Sequence, residues 1–166
     1  MLRKILLLAA VAPVFAMPSR AAETIDLSRI PNGFASSKVG DWVKYRTLMG
    51  DQIMTLTSIE NEGEDMVVKV KTDFYSGENL VSSNEDRMPL RSFFNAGDAP
   101  WAGEGVEISD EVADFNGKTI KIVAIRNPES NILLQMSEEI PLVGILKLEV
   151  EGEPAPIMEL VDFGRE

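Results

Sequence analysis

The sequence predicts an all-β protein, an antiparallel curved sheet, half-barrel or barrel of about nine to ten strands with one short helix or long loop. Three observations carry this. Met66, Val68, Val70, Thr72 and Phe74 alternate with Lys69, Lys71 and Asp73, the period-2 pattern of a strand with one wet face. Asn116-Gly117 separates two strand-like runs and suits a type I′ hairpin turn, whose two central residues both need φ > 0. Turn residues recur at short intervals along the chain, with no long amphipathic helix and no βαβ alternation.

The elements follow in order. Residues 22–38 form an N-terminal arm with Pro31-Asn32-Gly33 as a turn signal, and the Ile25/Leu27/Ile30 spacing supports one helical turn. A single antiparallel β domain spans 39–166. Val39 to Leu48 alternates, with Val43, Tyr45 and Thr47 on one face and Trp42, Lys44 and Arg46 on the other. Gly50-Asp51 turns the chain into Ile53 to Ile59, a Thr-rich, β-branched run. The acidic turn Asn61 to Asp65 leads into the alternating Met66–Phe74 run, and Gly77 breaks the chain again. Asn79 to Met88 is more polar and reads as an edge strand. Residues 89–105 are rich in aromatic residues, Gly and Pro, with a short helix expected over Leu90 to Ala96. Val106 to Phe115 and Lys118 to Arg126 flank the Asn-Gly turn. Ile132 to Ser137, Leu142 to Val150 and Ile157 to Phe163 complete the set.

Two stretches carry apolar residues on both faces. Ile120, Ile122 and Ala124 oppose Val123 and Ile125, and Ile140 to Leu148 is nearly continuous. Such runs predict central strands covered on both sides by a second layer, an inserted helix or loop, a partner chain or a bound apolar ligand.

The chain of 166 residues opens with Arg3 and Lys4, an apolar run from Ile5 to Ala12, and small residues at Ala16 and Ala21. Residues 1–21 therefore read as a cleaved secretion signal peptide, cut after Ala16 or after Ala21, and place the protein in the periplasm or outside the cell. The apolar run falls short of the roughly 20 residues that span a bilayer core, so no stable membrane anchor is expected, an uncleaved tether being the alternative. Removing Arg3, Lys4 and Arg20 takes the formal charge from −11 to −14. A surface so acidic argues against nucleic acid as a partner and against attraction to anionic lipid.

The sequence contains neither Cys nor His. Disulfides, thiol chemistry and a cysteine-built lipid anchor are excluded, and zinc or copper sites become improbable. No cofactor is expected. The acidic turns around Asn61 and Asn84 offer oxygen ligands without EF-hand spacing. No Gly-x-Ser-x-Gly elbow is present, and no phosphate-binding Gly-rich loop opens a helix.

The aromatic segment is the main candidate for binding. Phe93, Phe94 and Trp101, supported by Met88, are either a lid over an apolar pocket or a plug that completes the core. Phe74 and Met136, inward residues of their strands, extend the candidate ligand lining. Met54, Met66, Met88, Met136 and Met158 suit an adaptable cavity, although methionines are more often plain core residues.

The stretch "MSEEIPLVGILKLEVEG" from Met136 to Gly152, the following "IMELVDFG", and the early Gly40, Trp42 and Tyr45 resemble small exported bacterial β-proteins of the lipoprotein-carrier (LolA/LolB-like) half-barrel type. In that group a curved sheet wraps an apolar cavity, and this chain departs from it in showing no long helix. The resemblance implies no catalytic residue. Together with the residues, it leads to the expectation of a non-enzymatic protein that binds an apolar or amphipathic, lipid-like ligand. A cell-envelope protein–protein adaptor or assembly factor and a carboxylate- or serine-based hydrolase are the alternatives.

Overall fold

The computed structural model describes residues 29–62, 65–89 and 105–165. They form nine antiparallel strands in one curved, unclosed sheet: β1 Trp42–Thr47, β2 Gly50–Glu62, β3 Asp65–Ser76, β4 Asn79–Pro89, β5 Glu107–Phe115, β6 Lys118–Asn127, β7 Ile132–Met136, β8 Ile145–Val150 and β9 Met158–Gly164. Their order across the sheet is β4-β3-β2-β1-β9-β8-β7-β6-β5. Every pair of strands consecutive in the chain is hydrogen-bonded except β4 and β5, and the last strand pairs with the first. The fold is thus an up-and-down meander opened between β4 and β5, the point where the chain passes through residues 90–104.

Local chemistry explains most of these elements. Val43 and Tyr45 are fully buried while Trp42 and Lys44 are half-exposed, as the alternation predicts. In β3, Val68, Val70 and Thr72 are buried and Lys71 is exposed. Asn116 and Gly117 take φ 53° and 78°, and Asp114 accepts the Gly117 N–H at 3.1 Å, so the expected type I′ geometry forms. β4 is an edge strand, exposed from Asn79 to Arg87.

The buried side chains divide into two clusters. The larger joins Val43 and Tyr45 of β1, Leu56 of β2, Val68 and Val70 of β3, Leu160 of β9 and Ile120 and Ile122 of β6. Phe115 of β5 stacks on Phe163 of β9, ring centroids 5.7 Å apart, although three strands lie between them in the sheet. The sheet therefore curls until its two halves meet through one inner face. The smaller cluster gathers Ile125, Leu134 and Met136 under Ile30. Ile120 and Ile122 lie in the first cluster and Ile125 in the second, so β6 is covered on both sides, as its apolar run predicts.

The second two-sided run resolves differently. Ile140 to Gly144 is not the start of a strand, and β8 begins only at Ile145. Pro141 supplies no N–H to a ladder, and Leu142 and Gly144 adopt φ 60° and 70°, outside extended geometry. Ile140, Leu142 and Val143 are buried because they form a loop that enters the inner face beside Phe34, not because a strand is sandwiched there. The arm likewise contributes structure: Gly33–Ser36 is a single 3-10 turn that delivers Phe34 to the core. The helical turn expected around Ile25 and Leu27 and the helix expected over 90–96 lie outside the described residues.

These two loops are locked together. A Cβ on Gly33 would lie 2.5 Å from the carbonyl oxygens of both Ile140 and Leu142, so only glycine permits the approach. The Ser37 hydroxyl donates to Gly33 O at 2.8 Å and accepts the Leu142 N–H at 2.8 Å. Ser137 N–H donates to Gly144 O at 2.7 Å, closing the base of the loop. Arg165 donates to the carbonyls of Ser36 and Glu139, both at 3.0 Å, tying the chain end across the junction. The Glu139 carboxylate accepts from Lys118 at 2.9 Å and from the Lys121 N–H at 3.2 Å, and these bonds hold it below the usual carboxylate range.

Two substitutions probe this packing. Gly33→Ala is expected to cost about 1–3 kcal/mol, the range for overpacking a close contact, measured by urea unfolding; unchanged stability would show that the loops are not in contact. Tyr45 is fully buried with its hydroxyl unpaired, and burial pushes its ionisation far above the ordinary tyrosine range; the nearby Ile145 backbone opposes this but makes no well-formed hydrogen bond. Tyr45→Phe is therefore expected to leave stability unchanged or to raise it by up to about 1 kcal/mol at neutral pH. Above pH of about 10 only the unfolded state releases this proton, so stability falls with rising pH in the wild type and falls less steeply in the variant. A loss of more than about 1 kcal/mol at pH 7 would mean that the hydroxyl has a partner.

Candidate functional site

The strand register builds one groove directly. In β5 and β6, Asp110 faces Val123 and Val112 faces Lys121, and across β6 and β7 Val123 faces Met136. The pleat therefore places Asp110, Val112, Lys121, Val123 and Met136 on one side of the sheet. The arm at Arg29 and Pro31 forms the opposite wall and encloses an open groove of about 650 Å³. Its floor is apolar, from Val112, Val123 and Met136, and its rim carries both signs of charge, from Arg29, Lys121, Asp110, Glu111 and Glu138. Arg29 reaches Asp110 at 3.1 Å and fixes the arm against β5.

A smaller groove of about 260 Å³ lies at the end of the sheet where the β1–β2 and β3–β4 turns sit side by side. Phe74, Tyr75, Met49 and Val81 line it. Around it the chain leaves large apolar residues in water: Met49 is 85 % exposed, Leu48 70 %, Val81 67 % and Leu80 54 %. Exposed residues of this size gathered in one place mark an interaction surface more often than scattered ones do.

The inner face is packed by side chains from two loops. Phe34, Ile140, Leu142 and Val143 occupy it and pack against Val68, Val70 and Tyr45. Met88, opposite Val68 in the β3–β4 register, is half-buried against this same cluster. The three described lining candidates thus separate: Met88 against the inner core, Phe74 in the small groove, and Met136 fully buried in the second cluster beneath the large groove. Phe93, Phe94 and Trp101 lie outside the described residues.

Three lysine–carboxylate pairs line the outer face of β1–β3. Lys44 lies 2.8 Å from Asp51, Lys69 2.7 Å from Glu60 and Lys71 2.8 Å from Asp73. Hydrogen bonds from Lys69 and Ser58 hold Glu60 below the usual carboxylate range, and those from Lys71 and Ser83 do the same for Asp73. A general acid at neutral pH needs the opposite shift. Among the described residues no three acidic side chains gather as a metal site would require.

Sequence reasoning did not single out Arg29, Lys121, Met49 or Val81. A signal for the last two was present: the expected Gly50-Asp51 turn is instead the start of β2 and Leu48-Met49 themselves make the β1–β2 turn, while Leu80-Val81 follows Gly77-Glu78-Asn79, both places where a turn ordinarily presents polar residues.

The separation of Met136 from Phe74 has a measurable consequence. Met136→Ala is expected to cost about 2–5 kcal/mol as a large-to-small core change, and Phe74→Ala clearly less because the ring is half-exposed at a rim. Equal costs in thermal unfolding would contradict the assignment of Phe74 to a surface groove. Comparison with protein families, curated proteins and solved structures finds no match to this chain.

Proposed function

We propose that the protein is a non-enzymatic, exported binding protein for an apolar or amphipathic, lipid-like ligand, held in the groove between the Arg29–Pro31 arm and strands β5 to β7. The observation that supports this reading is the composition of that groove. Its volume of about 650 Å³ falls within the range of small-molecule sites, about 300–1,000 Å³. An apolar floor of Val112, Val123 and Met136 under a rim of Arg29, Lys121, Asp110, Glu111 and Glu138 suits a hydrocarbon chain with a polar head that meets both signs of charge. Removal of the chain from water drives binding, at about 25 cal/mol per Å² of apolar area. The mixed-charge rim holds the head, with Arg29 paired to Asp110 and Lys121 available to an anionic group, and no residue does covalent work.

The test uses a fluorescent fatty acid titrated against the protein and two surface variants. Val112 is 68 % exposed, so Val112→Asp is expected to leave the fold intact and to weaken binding at least about tenfold by placing a carboxylate on the floor. Lys121→Glu is expected to weaken an anionic probe more than an uncharged one of equal chain length. Saturable binding unaffected by both variants, or no saturable binding, would overturn the reading.

A further inference from the structure

The sheet has a second unassigned feature at its other edge. Among the described residues β4 ends the sheet over Asn79–Pro89, hydrogen-bonded on one side to β3. Natural edge strands are short, covered, or guarded by charge, because unpaired N–H and C=O groups recruit another strand. This one is 11 residues long, exposed from Asn79 to Arg87, and has its charges confined to Glu85, Asp86 and Arg87.

The two faces of β4 differ. The register sets Ser82 opposite Phe74, Asn84 opposite Thr72, Asp86 opposite Val70 and Met88 opposite Val68. Ser82, Asn84, Asp86 and Met88 therefore share the inner side of the pleat. At the Ser82 end lies the groove, lined by Phe74 and Ser82 from this side of the pleat, by Tyr75 and Asp51 from the other, and by Met49 and Val81. Four residues along the same side stands Asp86, an exposed carboxylate at the edge.

We propose that β4 is a docking edge for an extended segment of another protein, added as a tenth strand, with a large apolar residue in the Phe74–Val81 groove and a Lys or Arg four positions away against Asp86. Main-chain hydrogen bonds give such an addition its affinity, and pockets for alternate side chains give its specificity. The even spacing follows from the pleat, which returns a side chain to the same face at every second residue. The basic residue follows from charge: Asp86 is the carboxylate on that side of the edge, in a chain of net charge −11. This site lies at the opposite edge of the sheet from the ligand groove and does not depend on it.

The probe is a fluorescein-labelled, amidated nonapeptide alternating Thr and Val with Leu at position three and Arg at position seven, followed by fluorescence anisotropy. Saturable binding is expected, weakened at least about tenfold by Asp86→Lys and recovered when the peptide carries Glu in place of Arg. N-methylation of alternate peptide amides on the pairing edge is expected to abolish binding, which a merely electrostatic contact would not show. No saturable binding, or binding indifferent to both Asp86→Lys and N-methylation, overturns the proposal. So does a protein dimer in native mass spectrometry that Asp86→Lys dissolves, since the occupant would then be a second copy of the chain. Circular dichroism of Asp86→Lys, a fully surface change, verifies that the variant is folded.

Discussion

The contact between Gly33 and the Ile140–Gly144 loop governs this structure. An open, curved sheet has an apolar concave side that must be filled, by a ligand, by a helix or by the chain itself. Here the filling is done by two short irregular segments, one just before β1 and one between β7 and β8, that bring Phe34, Ile140, Leu142 and Val143 onto the inner face. Irregular backbone in a core is costly unless its polar groups are satisfied. Ser37 solves part of this by pairing with the Gly33 carbonyl and the Leu142 amide at once. The contact needs a residue without Cβ at position 33, and the hydroxyl at position 37 satisfies the polar groups that the approach buries.

Several features of the fold depend on that junction. The first and last strands meet in the middle of the sheet, so the N-terminal segment and the C-terminal Arg165 both arrive beside the plug. Among the described residues the side chains of the plug pack onto the inner face, while one groove lies between the arm and β5–β7 and another beside the β4 edge. The division also explains why the ion pairs cluster as they do. The outer face of β1–β3 meets water and carries lysine–carboxylate pairs, which keep a strongly acidic chain locally neutral.

Much of the fold was legible in the sequence, and the reason is periodicity. Where one face is wet, as in Val43–Thr47 and Val68–Thr72, alternation fixes both the strand and its orientation. Asn116-Gly117 specifies its turn through backbone conformation alone. The reading failed at Ile140–Leu148, where a continuous apolar run fits a buried strand and a buried loop equally well, and only Pro141 and Gly144 hint at the loop. The candidate sites were harder to read. Alternation reads both Phe74 and Met136 as inward, yet Met136 lies with Val123 on the face opposite the plug, and which face the plug covers depends on contacts between residues 33–37 and 140–144, more than a hundred positions apart. Exposure of Leu48 and Val81 is likewise a property of the assembled sheet end.

The central claim is that the two loops form one locked plug, and native-state hydrogen exchange at the Leu142 amide tests it most directly. That amide sits in a loop by backbone geometry, yet donates to Ser37 within the core. If the plug is locked, Leu142 exchanges as slowly as the amides of β1, through global unfolding. Exchange at the rate of an open surface turn would mean that the loop leaves the inner face freely, and the sheet would then have to be regarded as an open cradle awaiting a ligand.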